Sequence, residues 1–190
     1  MTLSAVLLAG GASRRMGTDK AQISFEGEPL WQRQLRFLRC FKPREIFISA
    51  RKKPAWALRD VEVILDEPPS RGPMSGICRA VALTRSSHLL VVAVDMPFLL
   101  KEDFDSLLCF VERGRGVVPV ADRYAEPLAA IYPKESAPEF EMALSNNNTS
   151  MQSLVRQLTE REKVKLVELS AGKAKRYRSI NTSADLSDVF

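Results

Sequence analysis

Apolar positions in this chain fall into short unbroken runs, separated by stretches whose apolar residues repeat with helical spacing. Residues 4–9 form the first run and predict a buried strand. Residues 45–50, 61–65 and 89–94 predict three more, the last apolar throughout, like a strand covered on both faces. Between the first two runs, residues 23–25 and Gly27 mark a short extended piece and a turn. Pro29 then opens a helix in which Trp31, Leu35 and Leu38 share one face, which favours a core role for Trp31. A second helix is expected over 75–84, after a proline-rich loop at 67–73. A third is expected over 101–113, from the stripe of Phe104, Leu107, Leu108 and Val111.

The later half reads less regularly. Residues 116–120 and 127–132 predict strands, Ser136 and Ser150 cap short helices, and 164–169 and 177–180 are extended. Thr182-Ser183-Ala184-Asp185 has the form of a capping box for a final helix. No repeat, low-complexity tract or linker divides the chain, so a single domain over 1–190 is expected. Strand and helix in short alternation predict an α/β fold: three layers, α/β/α, around a mostly parallel sheet. In such sheets ligands bind beyond the carboxyl ends of the strands. Gly10, Asp66 and Asp95 each follow a predicted strand and are expected at one rim.

Charge sharpens this picture. The 190 residues carry a formal +5, which favours anionic partners. Residues 156–178 hold eight basic and three acidic side chains, but their only aromatic is Tyr177. That is no stacking platform for nucleic acid, so an anionic small molecule or a solvated face is expected there. No apolar run approaches the ~20 residues that span a bilayer. The apolar start is followed rather than preceded by Arg14-Arg15, which argues against a signal sequence and for a cytoplasmic chain. Cys40, Cys78 and Cys109 are odd in number and far apart, as expected of reduced, buried core thiols.

The first strand runs into Gly10, Gly11 and Gly17, interleaved with Arg14, Arg15 and Lys20. Glycines let a ligand approach main-chain N–H groups, and the cations place fixed charge beside them, a combination suited to a polyphosphate. The spacing matches neither a P-loop nor a Gly-x-Gly-x-x-Gly dinucleotide fingerprint. Asp95 ends an otherwise uncharged strand and either binds a hard cation such as Mg²⁺ or caps the Met96-Pro97 turn. Asp66 either accepts a hydrogen bond from a nucleotide or serves the turn. His88, the only histidine, starts a strand far from the rim and reads as structural. The cationic inventory suits phosphoryl-type transfer, which needs chiefly positioning and charge stabilisation, better than acyl transfer. The Arg51-Lys52-Lys53-Pro54 run reads as a solvated loop.

The stretch from Leu8 to Lys20 resembles the Leu-Ala-Gly-Gly-x-x-x-Arg-Met-Gly-x-Asp-Lys signature of nucleotidyltransferases, most closely the molybdenum cofactor guanylyltransferases. Asp66 with Gly72-Pro73-Met74-Ser75-Gly76, Asp95-Met96-Pro97, Glu126-Pro127-Leu128 and Ser179-Ile180-Asn181-Thr182 resemble further segments of that family. The resemblance implies a Rossmann-like nucleotidyltransferase fold of the GT-A type. It implies transfer of GMP from GTP to the terminal phosphate of molybdenum-bearing molybdopterin, with release of pyrophosphate. Leu8, Ala9, Gly10 and Gly11 would line the GTP site, Arg15 and Lys20 would hold phosphates, Asp66 would contact the nucleotide, and Asp95 would bind GTP through Mg²⁺. The implied partners are the two substrates and, transiently, proteins that deliver molybdopterin or mature molybdoenzymes, with no nucleic acid or membrane. A relative using CTP and a non-catalytic nucleotide-binding module stay open as alternatives.

Overall fold

The computed structural model describes residues 1–10, 19–66, 71–147, 149–180 and 185. Each predicted apolar run becomes a strand: β1 (Leu3–Leu8), β4 (Ile46–Ala50), β5 (Glu62–Leu65) and β6 (His88–Ala93). A small hairpin, β2 (Ser24–Phe25) and β3 (Glu28–Pro29), turns through Gly27 and leads into α1 (Leu30–Arg39). The later strands are β7 (Gly116–Ala121), β8 (Tyr124–Ala125), β9 (Ala129–Pro133) and β10 (Val164–Glu168). The remaining helices are α2 (Pro73–Leu83), α3 (Lys101–Leu108), α4 (Ala137–Ser145), α5 (Met151–Glu160) and α6 (Ala171–Ala174).

The main sheet runs β10-β7-β9-β6-β1-β4-β5, with β8 on β7. Among the described residues of this sheet, the pairings of β9 and β8 are antiparallel; β5, β4, β1 and β6 run side by side in parallel. Period-two alternation splits β1 between the two faces. Ala5 and Leu7 join Leu30, Leu35 and Leu38 of α1 and Phe104 and Leu107 of α3, while Val6 and Leu8 join Met74, Ile77 and Val81 of α2 with Phe140 and Leu154 of α4 and α5. Helices therefore cover both sides of the sheet, as the α/β/α reading requires.

Several expectations need correction. The third helix stops at Leu108; beyond it residues 112–115 close into a turn with Gly114 at φ +72°, and His88 Nε2 lies 3.0 and 3.3 Å from the carbonyls of Glu112 and Arg115. Tyr177 ends a 3₁₀ turn, Lys175–Tyr177, so the extended stretch begins only at Arg178. Cys78 is buried, but Cys40 and Cys109 are exposed at helix ends. Trp31 keeps its expected core role from the rim: partly buried, it packs against the core and stacks on Trp56, ring centroids 5.1 Å apart. Ser150 caps α5 by accepting from the Ser153 N–H, whereas the Ser136 hydroxyl donates to Pro133 O and caps nothing. The capping box at 182–185 lies outside the described residues except for Asp185.

Candidate active site

Register aligns the strand ends that carry the candidate residues. Leu8 pairs with Ser49 on one side and Ala93 on the other, and Ala50 pairs with Leu65. The ladder extends one step further: the Ala9 N–H donates to Ser49 O, Asp66 N–H to Ala50 O and Val94 N–H to Leu8 O. Beyond these ends a cleft of about 230 Å³ opens, walled by Leu8, Ala9, Gly10, Lys20, Asp66 and Asp95 among others.

Local structure aims the charged residues. Asp19 accepts the Ala21 N–H at 3.0 Å, starting the 3₁₀ turn Lys20–Gln22 that carries Lys20. The Lys20 ammonium donates to Asp95 Oδ2 at 2.9 Å and to Ile180 O at 3.2 Å, and the Ile180 N–H donates to Asp95 O at 2.7 Å. Asp95 is thus already paired, not isolated. The turn after it is held by α1: Arg33 Nε donates to Pro97 O and the buried Gln34 amide donates to Met96 O, at 2.8 and 2.6 Å.

Asp66 faces the cleft from the opposite side. The hydroxyls of Ser49 and Ser75 both donate to its Oδ1 at 3.4 Å, and a Cβ placed on Gly10 would stand 3.2 Å from its Oδ2. Gly72, at φ +73°, turns the chain so that Pro73 starts α2 at the cleft wall, bringing the positive end of that helix to the site. Gly76 lets α2 pack against β4, since a Cβ there would meet Ser49 Oγ at 2.1 Å.

The structure therefore gathers Leu8, Ala9, Gly10, Lys20, Asp66 and Asp95, while Gly11, Arg14 and Arg15 lie outside the described residues. It adds Ser49 and Leu128, which carried no chemical signal of their own. Arg51 lines the cleft rather than only a solvated loop; its position directly after β4 was the available clue. His88 stays out of the site and is buried, as a structural residue should be. No three histidine, cysteine, aspartate or glutamate residues converge among the described residues. Mg²⁺ characteristically takes one or two carboxylates and completes its shell with phosphate oxygens and water, so the Asp95 carboxylate is a donor of the kind it uses.

A mostly parallel sheet with helices on both faces, and a cationic, carboxylate-bearing cleft at its strand ends, is the architecture of a nucleotidyltransferase. The chain belongs to the family of the MobA-like NTP transferase domain, whose profile matches residues 5–163. It is 39% identical over 171 residues to a probable molybdenum cofactor guanylyltransferase of Opitutus terrae, an alignment covering 88% of this chain and 84% of that protein. The crystal structure of molybdopterin-guanine dinucleotide biosynthesis protein A from Archaeoglobus fulgidus superposes with a TM-score of 0.72 at 26% identity, over 97% of this chain and 95% of that one. A nucleotidyl transferase from Methanothermobacter, at 15% identity, shares the fold with a TM-score of 0.77 over 99% of this chain and 95% of its own.

Proposed function

We propose that this nucleotidyltransferase moves GMP from GTP to the terminal phosphate of molybdenum-bearing molybdopterin. The observation that carries the reading is the meeting of Gly10, Lys20, Asp66 and Asp95 in one cleft, in a chain with a 39% identical relative of that name. An acceptor phosphate oxygen attacks the α-phosphorus of GTP, a new P–O bond forms, and the bond to the bridging α–β oxygen breaks with its electron pair leaving on pyrophosphate. The acceptor is already anionic, so no base is needed. Lys20 and Arg15 stabilise the charge that grows on the departing phosphates. Asp66 accepts from a nucleotide hydroxyl or base N–H, and the glycine at position 10 keeps the backbone close. Asp95 would hold Mg²⁺, which when bound supplies positive charge to the phosphate oxygens.

Calorimetric titration with GTP, CTP and ATP, with and without Mg²⁺, followed by turnover with molybdopterin, tests this. Selective GTP binding strengthened by Mg²⁺, and pyrophosphate release only with molybdopterin present, are expected. A preference for CTP would overturn the guanylyl assignment, and no binding of any nucleotide would overturn the site.

A further inference from the structure

Lys20 sits on a turn too short to fix its own direction. The 3₁₀ turn Lys20–Gln22 is anchored on its far side by α1, where the Leu30 N–H donates to Ile23 O at 2.9 Å, and on its near side by the Asp19 carboxylate. Asp19 Oδ1 is taken within the turn, by the Ala21 N–H. Its Oδ2 accepts at 3.4 Å from a residue 37 positions away, the indole Nε1–H of Trp56.

Trp56 is itself held. Its ring stacks on Trp31, near the start of α1, with the planes 12° from parallel, and both rings pack against the core. An ion pair from Arg39 to Asp60, at 2.7 Å, ties the same segment to the end of α1, and the segment begins at Arg51 in the cleft wall. Trp56 stands outside the lining of the cleft. Its indole also answers an electrostatic need. A carboxylate next in sequence to a phosphate-binding lysine repels polyphosphate and competes for the ammonium. With an N–H on each oxygen, the Asp19 charge is met by the turn and by Trp56, while the ammonium reaches Asp95 and Ile180.

We propose that Trp56 is a positioning residue for Lys20: its indole N–H, held by the stack on Trp31, fixes the Asp19 carboxylate and through it the direction in which Lys20 meets the nucleotide's phosphates. The assignment rests on the transferase reading given above and deepens it by a residue that does not touch the substrate.

Trp56→Phe keeps a ring on Trp31 and removes only the N–H donor. In calorimetry this variant should bind GTP about tenfold more weakly than wild type, the effect of losing one hydrogen bond to a charged group. GMP lacks the phosphates assigned to Lys20 and should bind both proteins alike. In an Asp19→Ala background, a change at an exposed residue, Trp56→Phe should alter GTP affinity less than twofold, because the link it breaks is already gone. GTP affinity of Trp56→Phe within twofold of wild type, an equal loss for GMP, or a tenfold loss that persists without the Asp19 carboxylate overturns the proposal. The Trp56 indole N–H resonance, identified by its absence in Trp56→Phe, should shift in Asp19→Ala, and an unmoved resonance overturns the route through Asp19. These readings are independent of turnover. A wild-type protein that gives all of them but transfers no GMP sinks the transferase reading and keeps Trp56 as the residue that orients Lys20 toward phosphate.

Discussion

Lys20 Nζ lies 2.9 Å from Asp95 Oδ2, and both side chains are about four-fifths buried. Incoming phosphates and a cation would each compete for this contact. Replacing Lys20 with Met leaves Asp95 without its ammonium and removes one charge from the phosphate site. Turnover is expected to fall about a hundredfold or more, the scale of losing one preorganised charge stabiliser. Asp95→Ala should bind GTP with no strengthening by Mg²⁺. A turnover assay of the Lys20 variant and titration of Asp95→Ala with and without Mg²⁺ check the two outcomes, and a retained Mg²⁺ effect in Asp95→Ala would place the cation elsewhere.

The approach of α2 to β4 depends on a missing side chain. A Cβ at Gly76 would fall 2.1 Å from Ser49 Oγ and 2.8 Å from Ser49 Cβ, so Gly76→Ala forces helix and strand apart. The overpacking should cost about 1–3 kcal/mol in urea unfolding. Because Ser49 also contacts Asp66, nucleotide binding should weaken in the same variant. Adding Ser49→Gly relieves the clash and should recover most of the stability, whereas Asp66 then loses one donor and binding stays impaired.

The basic C-terminal segment is held by a buried charge. Asp103 is fully buried at the start of α3, where it accepts the Leu100 N–H at 3.3 Å and a two-pronged contact from Arg176. That hydrogen-bonded carboxylate raises the Arg176 pKa above its ordinary value. Arg176→Ala strands Asp103 and should destabilise the protein by about 3 kcal/mol. It also loosens the route to Ile180, so nucleotidyl transfer should fall as well. Arg176→Lys should restore part of the stability but not the two-pronged geometry.

Much of this arrangement is legible in local sequence. The ends of β1, β4 and β6 fall within about a residue of their apolar runs, because a strand buried on both faces must be apolar throughout and stops where polarity returns. That is also why Gly10, Asp66 and Asp95 are placed at one rim by sequence order alone. What sequence does not reveal is long-range pairing. The turn after α3 brings the Glu112 and Arg115 carbonyls to His88, more than 20 residues away. Lys20 meets a backbone oxygen at Ile180, at a separation of 160 residues. Cys40 and Cys109 look like core thiols until the helices that carry them end at the surface. A cleft of about 760 Å³ likewise draws its lining from Phe98, Ala121, Asp122, Tyr124, Glu126 and residues 174–178, which no single motif connects.

Two titrating groups tilt stability in opposite directions. Burial lowers the pKa of His88, so below pH 6.5 the unfolded chain takes up a proton that the folded one refuses, and His88 makes stability fall as pH drops. Burial raises Glu126 from 4.5 to about 7, so between those values the folded chain keeps a proton that the unfolded one has released. Glu126 therefore makes stability fall as pH rises through that window. Glu126→Gln removes the second effect, and its stability relative to wild type should grow between pH 5 and 8 by about 1 kcal/mol, a figure discounted for the solvent reaching this half-buried carboxyl. His88→Gln removes the first effect but also weakens the link to Glu112 and Arg115. Its deficit relative to wild type should be largest at pH 8 and shrink toward pH 5.5. Urea unfolding at four or five pH values resolves both trends, and parallel curves for wild type and Glu126→Gln would show that this carboxyl titrates alike in the folded and unfolded chains.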